Sequence, residues 1–274
     1  MKLGVMLHLR SLNEESVDAK FKQVRDYGFD YCQICAWDIS LFTDEVAAEI
    51  IAAMKKYDVK VSTFWCGWWG PTAWNFTEGP ATLGLVPATY RAIRMQNLIA
   101  GSDFAKKLGI DKVATHVGFL PENPCTTEYT DVVAALRVVA QHCKKNGQCF
   151  LFETGQETPV TLLRTIQTVG TGNLGINLDP ANLILYGKAN PIDALDVFGK
   201  YVMDIHAKDG FYPTDGNELG KEAKVGDGKV NFPAFIAKLR EVGYDATLTI
   251  EREIWGEQQK KDIVETKAYL EALI

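Results

Sequence analysis

The sequence of 274 residues carries a net charge of −6, with 47% hydrophobic and 23% charged residues. This length and composition fit a single α/β barrel, which typically has about 250 residues and a large core. The acidic balance argues against a nucleic-acid partner, which usually meets a basic surface, and no stretch approaches the ~18 apolar residues of a membrane span.

Eight short apolar runs are predicted to be buried strands, because each has the length of a strand and ends at a turn signal. They cover residues 2–8, 29–35, 59–64, 112–116, 148–153, 174–179, 202–206 and 247–251. Segments with helical spacing lie between them, most clearly at 14–28, 44–58, 130–147 and 257–274. The alternation predicts one (β/α)8 TIM barrel, a single domain over residues 1–274. A doubly wound sheet is disfavoured, because HLRSLNEE after the first strand lacks the glycines of a nucleotide-binding loop.

The six cysteines include one CxxC pair, Cys32 and Cys35. The pair lies inside the apolar run DYCQICAW without a second pair, so we interpret both residues as core rather than as a redox or zinc motif. The N-terminal segment MKLGVMLHLR is too short and polar for a signal peptide. We therefore expect reduced thiols and a cytoplasmic protein.

Two connections are longer than usual and follow the third and seventh strands, at residues 65–88 and 207–231. Both are expected to cover the barrel mouth, where the carboxyl ends of the strands meet. Tryptophans also concentrate after predicted strands, and indole rings pack on sugar faces. Trp37 and Trp255 are the preferred candidates for a sugar pocket, whereas the tryptophans of 65–74 are at least as well explained by loop packing or a subunit interface.

Four side chains that can bind metal end the last four predicted strands. Glu153, Asp179, His206 and Glu251 close the runs CFLFE, LGINLD, YVMDIH and ATLTIE. Because strand ends converge in a parallel barrel, these residues are expected to meet at one point. Three carboxylates and one imidazole suit one divalent ion, with Mn²⁺ favoured and Mg²⁺, Co²⁺ or Zn²⁺ as alternatives. Taken alone, Asp179 before Pro180 would instead cap the next helix.

The stretches FETGQE, NLDPANLILYG, DIHAKDG, GDGKVNFPAF and TIERE occur in this order across residues 148–253. Together they resemble the xylose-isomerase-like TIM-barrel superfamily, in its sugar phosphate isomerase/epimerase group, which is related to ketose 3-epimerases and inosose dehydratases. The resemblance implies that Glu153, Asp179, His206 and Glu251 hold one divalent metal, and that the two glutamates also move protons. Since Glu153 and Glu251 end the fifth and eighth strands, they fit acid and base on opposite faces of a substrate.

Two polar residues beside these motifs are candidates for substrate binding. Asn182 stands three residues after Asp179, where related family members often have a histidine. Lys208 matches the HxKD form of the motif and is predicted either to hold a substrate oxyanion or phosphate, or to be solvated beside Asp209.

Three further residues have weaker signals for substrate contact. His116 ends the fourth predicted strand at the same mouth, and the family often has a histidine there. A contact with the substrate or with a metal ligand is favoured for it over simple packing. His8 ends the first strand, and a substrate role and a packing role are weighted equally. Glu157 is predicted to contact substrate or, as we favour, to cap the helix that begins near Pro159.

The leading hypothesis is a divalent-metal-dependent sugar isomerase or epimerase that abstracts an α-proton and forms an enediolate on a ketose or keto-polyol, phosphorylated or not. The alternative is a metal-dependent dehydratase or lyase resembling inosose dehydratases. A zinc abasic-site endonuclease shares this barrel, but Asn182 and Lys229 stand where its histidines are needed. The expected partner is a small sugar or polyol, without nucleic acid or membrane, and homo-oligomer formation is left open.

Overall fold

The computed structural model describes residues 1–10 and 15–274. Eight parallel strands close into a barrel in the order β1-β10-β7-β6-β5-β4-β3-β2, which confirms the predicted TIM barrel. The barrel strands are β1 (Lys2–Leu9), β2 (Tyr31–Ala36), β3 (Lys60–Cys66), β4 (Lys112–Thr115), β5 (Cys149–Glu153), β6 (Leu174–Leu178), β7 (Val202–Ala207) and β10 (Thr247–Ile250).

Helices connect the strands on the outside of the barrel, and two 3-10 turns (Ile39–Leu41 and Gly199–Tyr201) accompany them. The α-helices of the described ranges are α1 (Val17–Asp26), α2 (Asp44–Tyr57), α3 (Gly79–Thr82), α4 (Ala88–Lys107), α5 (Thr127–Lys145), α6 (Pro159–Val169), α7 (Pro180–Leu185), α8 (Pro191–Phe198), α9 (Phe232–Glu241) and α10 (Glu257–Glu271). The strict alternation of eight strands with eight helices is modified at two places: α3 and α4 follow one another after β3, and α7 and α8 follow one another after β6. Asn190 caps α8, and Pro191 occupies its first turn. The N–H groups of the first turn have no partner within a helix, so the missing N–H of proline costs no hydrogen bond there.

The main core lies between the barrel and its helices, where large side chains such as Phe21, Phe104 and Phe150 are fully buried. Cys32 belongs to this core and Cys35 to a smaller cluster at the mouth, and both thiols are free. Burial raises the pKa of both thiols, so they stay protonated, as the core interpretation requires. Among the described residues, no helix is long and apolar enough to cross a membrane.

The long connection after β7 is organised by one buried carboxylate. Asp209 begins a short antiparallel pair, β8 (Asp209–Gly210) with β9 (Glu222–Ala223). Its side chain accepts hydrogen bonds from the backbone N–H groups of Gly226, Gly228 and Val230, at 3.0–3.1 Å. A side chain at Gly228 would place its Cβ 2.1 Å from Asp209 Oδ1. The glycine is therefore needed for this close approach.

The long connection after β3 is organised by a buried cation. The Arg94 guanidinium, on α4, donates to the carbonyl oxygens of Trp69, Pro71, Thr82 and Gly84, at 2.6–3.2 Å. Burial lowers the pKa of Arg94 to about 10, so the group remains charged at neutral pH. The planar guanidinium group thus donates hydrogen bonds to four backbone carbonyls that would otherwise be buried without a partner.

We expect Arg94→Lys to destabilise the protein by about 2–4 kcal/mol, because a single ammonium group cannot reach all four carbonyls that the guanidinium group of Arg94 contacts. Denaturant unfolding followed by tryptophan fluorescence measures the loss. Arg240→Lys is the matched control, since Arg240 donates a single bond, to the carbonyl of Leu273, and should cost less than about 1 kcal/mol. Equal stability of Arg94→Lys and wild type would show that Arg94 does not hold this connection.

Candidate metal centre

The four residues at the strand ends meet at the barrel mouth. Glu153 is the last residue of β5, His206 lies in β7, and Asp179 and Glu251 directly follow β6 and β10. All four are buried, and one ligand atom from each lies within 4.8 Å of the others. Two atoms on opposite sides of one ion lie about 4.2 Å apart, twice a bond length of ~2.1 Å. The predicted convergence is therefore confirmed, and the group is consistent with one divalent metal.

Asp179 combines the two roles that its sequence context suggested. Its Oδ1 accepts the backbone N–H of Asn182 at 2.8 Å and thereby caps α7. Its Oδ2 faces the cluster, 3.8 Å from His206 Nδ1 and 3.5 Å from Lys208 Nζ. Thr154 fixes the backbone of Asp179 by exchanging two hydrogen bonds with it. The helix cap consequently orients the second oxygen toward the position of an ion.

The orientation of His206 is set by two amide side chains, Gln33 on β2 and Asn177 on the adjacent strand β6. His206 Nε2 lies 3.0 Å from Gln33 Oε1 and 2.9 Å from Asn177 Nδ2, and Gln33 in turn donates to Asn177 Oδ1 at 3.1 Å. These contacts turn Nδ1 toward the cluster, where it lies 3.1 Å from Glu251 Oε2 and 3.2 Å from Glu153 Oε1. Histidine ligands in proteins are typically held in this way by a hydrogen bond to their other nitrogen.

Several buried atoms of the cluster make no hydrogen bond within the described part of the chain. They are His206 Nδ1, Asp179 Oδ2 and Glu251 Oε2. Unpartnered carboxylate oxygens are costly to bury, and a bound cation would supply what these atoms lack. The donor set of carboxylates and one imidazole, without cysteine, also fits an exchangeable catalytic ion better than a closed structural zinc site.

The local charges bias these groups toward their ionised forms. Burial favours a neutral Glu153, but His116 and His206 outweigh it and hold the pKa of Glu153 well below its usual range. For Glu251 burial is likewise outweighed, by Lys208 and then His206, and the pKa falls to about 2. Burial also lowers the pKa of His206, yet Glu251 and Glu153 raise it well above its usual value. The carboxylates thus need a positive charge between them, which a proton or a metal ion provides.

Glu153 is held by three neighbours on its own side of the mouth. Trp65, near the end of β3, donates its indole N–H to Oε2. His116 Nε2 lies 3.3 Å from Oε1, and Asn182 Nδ2 lies 3.4 Å from the same oxygen. His116 thus contacts a candidate metal ligand, which is one of the two roles predicted for it, and its contact with substrate stays a prediction. The indole of Trp65 was not anticipated, because we attributed the 65–74 tryptophans to packing as readily as to the site.

Lys208 lies inside the site, and its predicted alternative of a solvated pair with Asp209 is wrong. Its side chain is 2% exposed, with Nζ 3.5 Å from Asp179 and 3.4 Å from Glu251, and it also pairs with Glu253. Asp209 instead points to the backbone of the 226–230 segment. Burial opposes the charge of Lys208, but Glu251 and Glu253 outweigh burial and raise its pKa well above the usual value. Lys208 is therefore a fixed positive charge beside the carboxylates.

A cavity of about 480 Å³ opens above this cluster, within the roughly 300–1,000 Å³ range of small-molecule sites. Both long connections contribute to its walls, as predicted, through Thr72, Trp74 and Leu219. The predicted pocket residues Trp37, Trp255 and His8 also line it. The ring of His8 packs edge-on against Trp255 at 5.4 Å, and burial lowers the pKa of His8 to about 4. His8 is therefore neutral at physiological pH.

The favoured helix-capping role of Glu157 is wrong. Thr158 is the N-cap of α6, and its hydroxyl accepts the backbone N–H of Thr161. Threonine directly precedes the helical proline, so the capping pattern was present in the sequence. Glu157 is instead buried, and burial raises its pKa to about 7. The substrate contact predicted for Glu157 stays a prediction, since Glu157 does not appear among the cavity-lining residues.

Comparison with known proteins identifies the group to which this barrel is similar. The family model described as "Xylose isomerase-like TIM barrel" matches residues 21–273. An uncharacterized protein of Methanocaldococcus jannaschii is 32% identical over 270 residues, which cover 94% of this chain and 86% of that protein. The crystal structure of a xylose isomerase domain protein from Planctomyces limnophilus has a TM-score of 0.93 and 34% identity, over 99% of this chain and 96% of that one. A D-tagatose 3-epimerase-like protein, at 21% identity over 100% of this chain and 97% of its own, has a TM-score of 0.76 and shares the fold.

We expect His206→Ala to retain far less divalent metal than wild type when both are purified without chelator. Asp179→Asn is a second variant, because asparagine caps helices as well as aspartate but removes the charge that faces the site. Elemental analysis measures the metal, and Mn²⁺ should raise the melting temperature of wild type but not of the two site variants. His142→Ala, on the outer helix α5, should behave as wild type. Equal metal content in all four proteins would exclude this centre.

Proposed function

Since the chain belongs to the xylose isomerase-like TIM-barrel family, we propose that it is a divalent-metal-dependent isomerase or epimerase of a ketose or keto-polyol. The observation that carries the proposal is the pair of buried glutamates, Glu153 and Glu251, on two sides of one candidate ion site. Binding alone requires no such pair, whereas inversion at a carbon, in which a proton leaves one face and another is added to the opposite face, uses two proton-transfer groups.

The ion would be held by Glu153, Asp179, His206 and Glu251, and Mn²⁺ is our preferred assignment. When bound, a divalent ion polarises the carbonyl and the adjacent hydroxyl of a sugar, which makes the proton between them easier to remove. The residues of the chain then have two tasks, which are to orient the substrate and to carry the proton.

Glu153 and Glu251 approach from different parts of the ring. In the closed barrel, β5 and β10 are three strands apart in one direction and five in the other. The depressed pKa values of both groups keep them ionised at neutral pH, so either can accept a proton. Trp65 and His116 hold Glu153 in place, and Lys208 lies 3.4 Å from Glu251. Fixed bases on two faces are the arrangement that inversion or transfer of a C–H hydrogen needs.

The walls of the cavity support a sugar as the substrate. Trp37 packs edge-on against Trp74, Trp255 packs edge-on against His8, and all four rings line the cavity. Aromatic faces bury the C–H surfaces of sugars, and polar groups between them bind hydroxyls. The D-tagatose 3-epimerase-like structure named above also supports a ketose, as a protein of the same fold.

We expect the wild-type protein with Mn²⁺ to exchange the α-hydrogen of at least one ketose, keto-polyol or corresponding phosphate in deuterated water. Proton NMR measures the exchange, which precedes every outcome of this chemistry. The product then separates epimerisation or isomerisation from loss of water, as a dehydratase would give. Absence of exchange across the panel, with metal bound, would refute the proposed function.

Glu153→Gln and Glu251→Gln should each slow this exchange by about 10²-fold or more, which is the usual contribution of a general base. Both proteins are compared at saturating metal, with bound metal measured, so that weaker metal binding is not mistaken for loss of the base. Glu265→Gln makes the same chemical change on the surface of α10 and should exchange at the wild-type rate. Undiminished exchange in both site variants would remove the two glutamates as the proton-transfer pair.

A further inference from the structure

Beside the candidate metal centre, several buried polar atoms have no hydrogen-bond partner in the ranges that the structure describes. They are His116 Nδ1, Tyr186 Oη, both amide atoms of Gln156 and one carboxylate oxygen of Glu157. All four residues are at most 6% exposed. A buried polar atom without a partner costs about 1–3 kcal/mol, and native proteins contain few of them. Five in one region therefore indicate a ligand that supplies the missing partners.

These residues surround one short turn after β5. His116 Cε1 and Tyr186 Cδ2 each lie 3.6 Å from the position that a Cβ on Gly155 would occupy. Gln156 and Glu157 directly follow this glycine, and Gln156 is close enough to Tyr186 to lower the pKa of its hydroxyl slightly. Burial is the stronger influence and raises the pKa of Tyr186 to about 12. The hydroxyl therefore stays protonated and is available as donor and acceptor.

The rings in this region are fixed by aromatic contacts. Tyr186 packs edge-on against Phe76 at 6.1 Å and Phe119 at 5.8 Å, and His116 packs against Trp74 at 5.1 Å. Tyr186 and His116 both line the cavity. The other ring nitrogen of His116 lies 3.3 Å from Glu153. The unpartnered atoms are thus held rigidly, and His116 connects them to the candidate metal ligand Glu153.

The charges nearby define what kind of ligand fits. Glu153 Oε1 lies 3.3 Å from His116 Nε2, so a phosphate here would lie close to an ionised carboxylate. The buried cation Lys208 is already paired with Asp179, Glu251 and Glu253. Neutral hydroxyl groups, which donate and accept, match this region better than an anion.

We propose that His116 and Tyr186, which line the cavity, form a polyol subsite, which binds the uncharged hydroxyl groups of the sugar chain that extends away from the metal-bound end. Gln156, beside the Tyr186 hydroxyl, positions that hydroxyl. The inference rests on the proposed function for the position of the reacting end, and it adds that the distal end of the substrate is unphosphorylated. Tyr186 and Gln156 are accordingly residues that determine specificity, whereas the candidate metal ligands Glu153, Asp179, His206 and Glu251 carry the reaction.

The test uses sorbitol, a polyol that has no carbonyl and cannot react, and protein loaded with Mg²⁺. Calorimetric titration should give about 3- to 10-fold weaker sorbitol binding for Tyr186→Phe, the effect of one hydrogen bond. Gln156→Leu should weaken binding at least as much. Thermal unfolding without ligand checks that each variant keeps the fold, because the Gln156 side chain and the Tyr186 hydroxyl lie next to each other. Tyr201→Phe, next to the amino end of β7, is the control and should bind as wild type does.

Three results would overturn the subsite. One is unchanged sorbitol affinity in both Tyr186→Phe and Gln156→Leu, which would mean that the unpartnered atoms bind water only. Another is the absence of sorbitol binding to wild type, and the third is tighter binding of sorbitol 6-phosphate than of sorbitol. A failure of the proposed function would give a different result. Sorbitol would still bind and its affinity would depend on Tyr186, but no ketose would exchange its α-hydrogen.

Discussion

The burial of three carboxylates around one imidazole is the constraint on which this structure depends. Glu153, Asp179 and Glu251 are at most 7% exposed, and burying each charge costs several kcal/mol unless a positive group compensates it. His206 lies between them, and Lys208 contacts two of them. A divalent ion would compensate the same charges more fully. The site is therefore stable only as a set, and each neighbouring residue must keep the set in register.

Two buried charges of opposite sign give the mouth its shape. Arg94 binds four carbonyl oxygens of the connection after β3, and Asp209 binds backbone N–H groups of the connection after β7. Each charge is satisfied by the backbone alone, so neither needs a partner from the substrate. Because these loops carry cavity residues such as Trp74 and Leu219, their internal hydrogen bonds organise the walls before any ligand arrives.

The sequence was sufficient to predict the barrel and the four candidate metal ligands, because both predictions depend on local patterns. An apolar run that ends in a metal-binding side chain can be recognised within a few residues, and strand convergence does the rest. Gln33 and Asn177 could not be found in this way. They lie 144 residues apart, are uncharged, and meet only because the barrel closes. Trp65 was also missed as a partner of Glu153. The two residues lie on strands β3 and β5, which are separated by β4, so their contact depends on the assembled barrel and not on a local pattern.

The assignment of helix caps shows a different limit of sequence reasoning. Glu157 and Thr158 are adjacent, and both residue types occur at helix starts, yet the threonine hydroxyl accepts the N–H of Thr161 and Glu157 is turned inward. The choice depends on what surrounds the turn. Glu157 lies within the electrostatic reach of His116 and Lys188, which partly offset the burial of its carboxyl group.

In the proposed function, the reaction and the recognition of the substrate would use different residues of the barrel mouth. On one side lie the carboxylates and Lys208, whose strong mutual interactions leave little freedom to change any one of them. On the other side lie neutral groups, such as Tyr186 and Gln156, that make no hydrogen bonds within the described chain. In the proposal, replacing these groups would alter which hydroxyls are accepted, while the ion site, which is built from other residues, would keep its ligands. We therefore expect related proteins to differ at Tyr186 and Gln156 more than at the four candidate metal ligands.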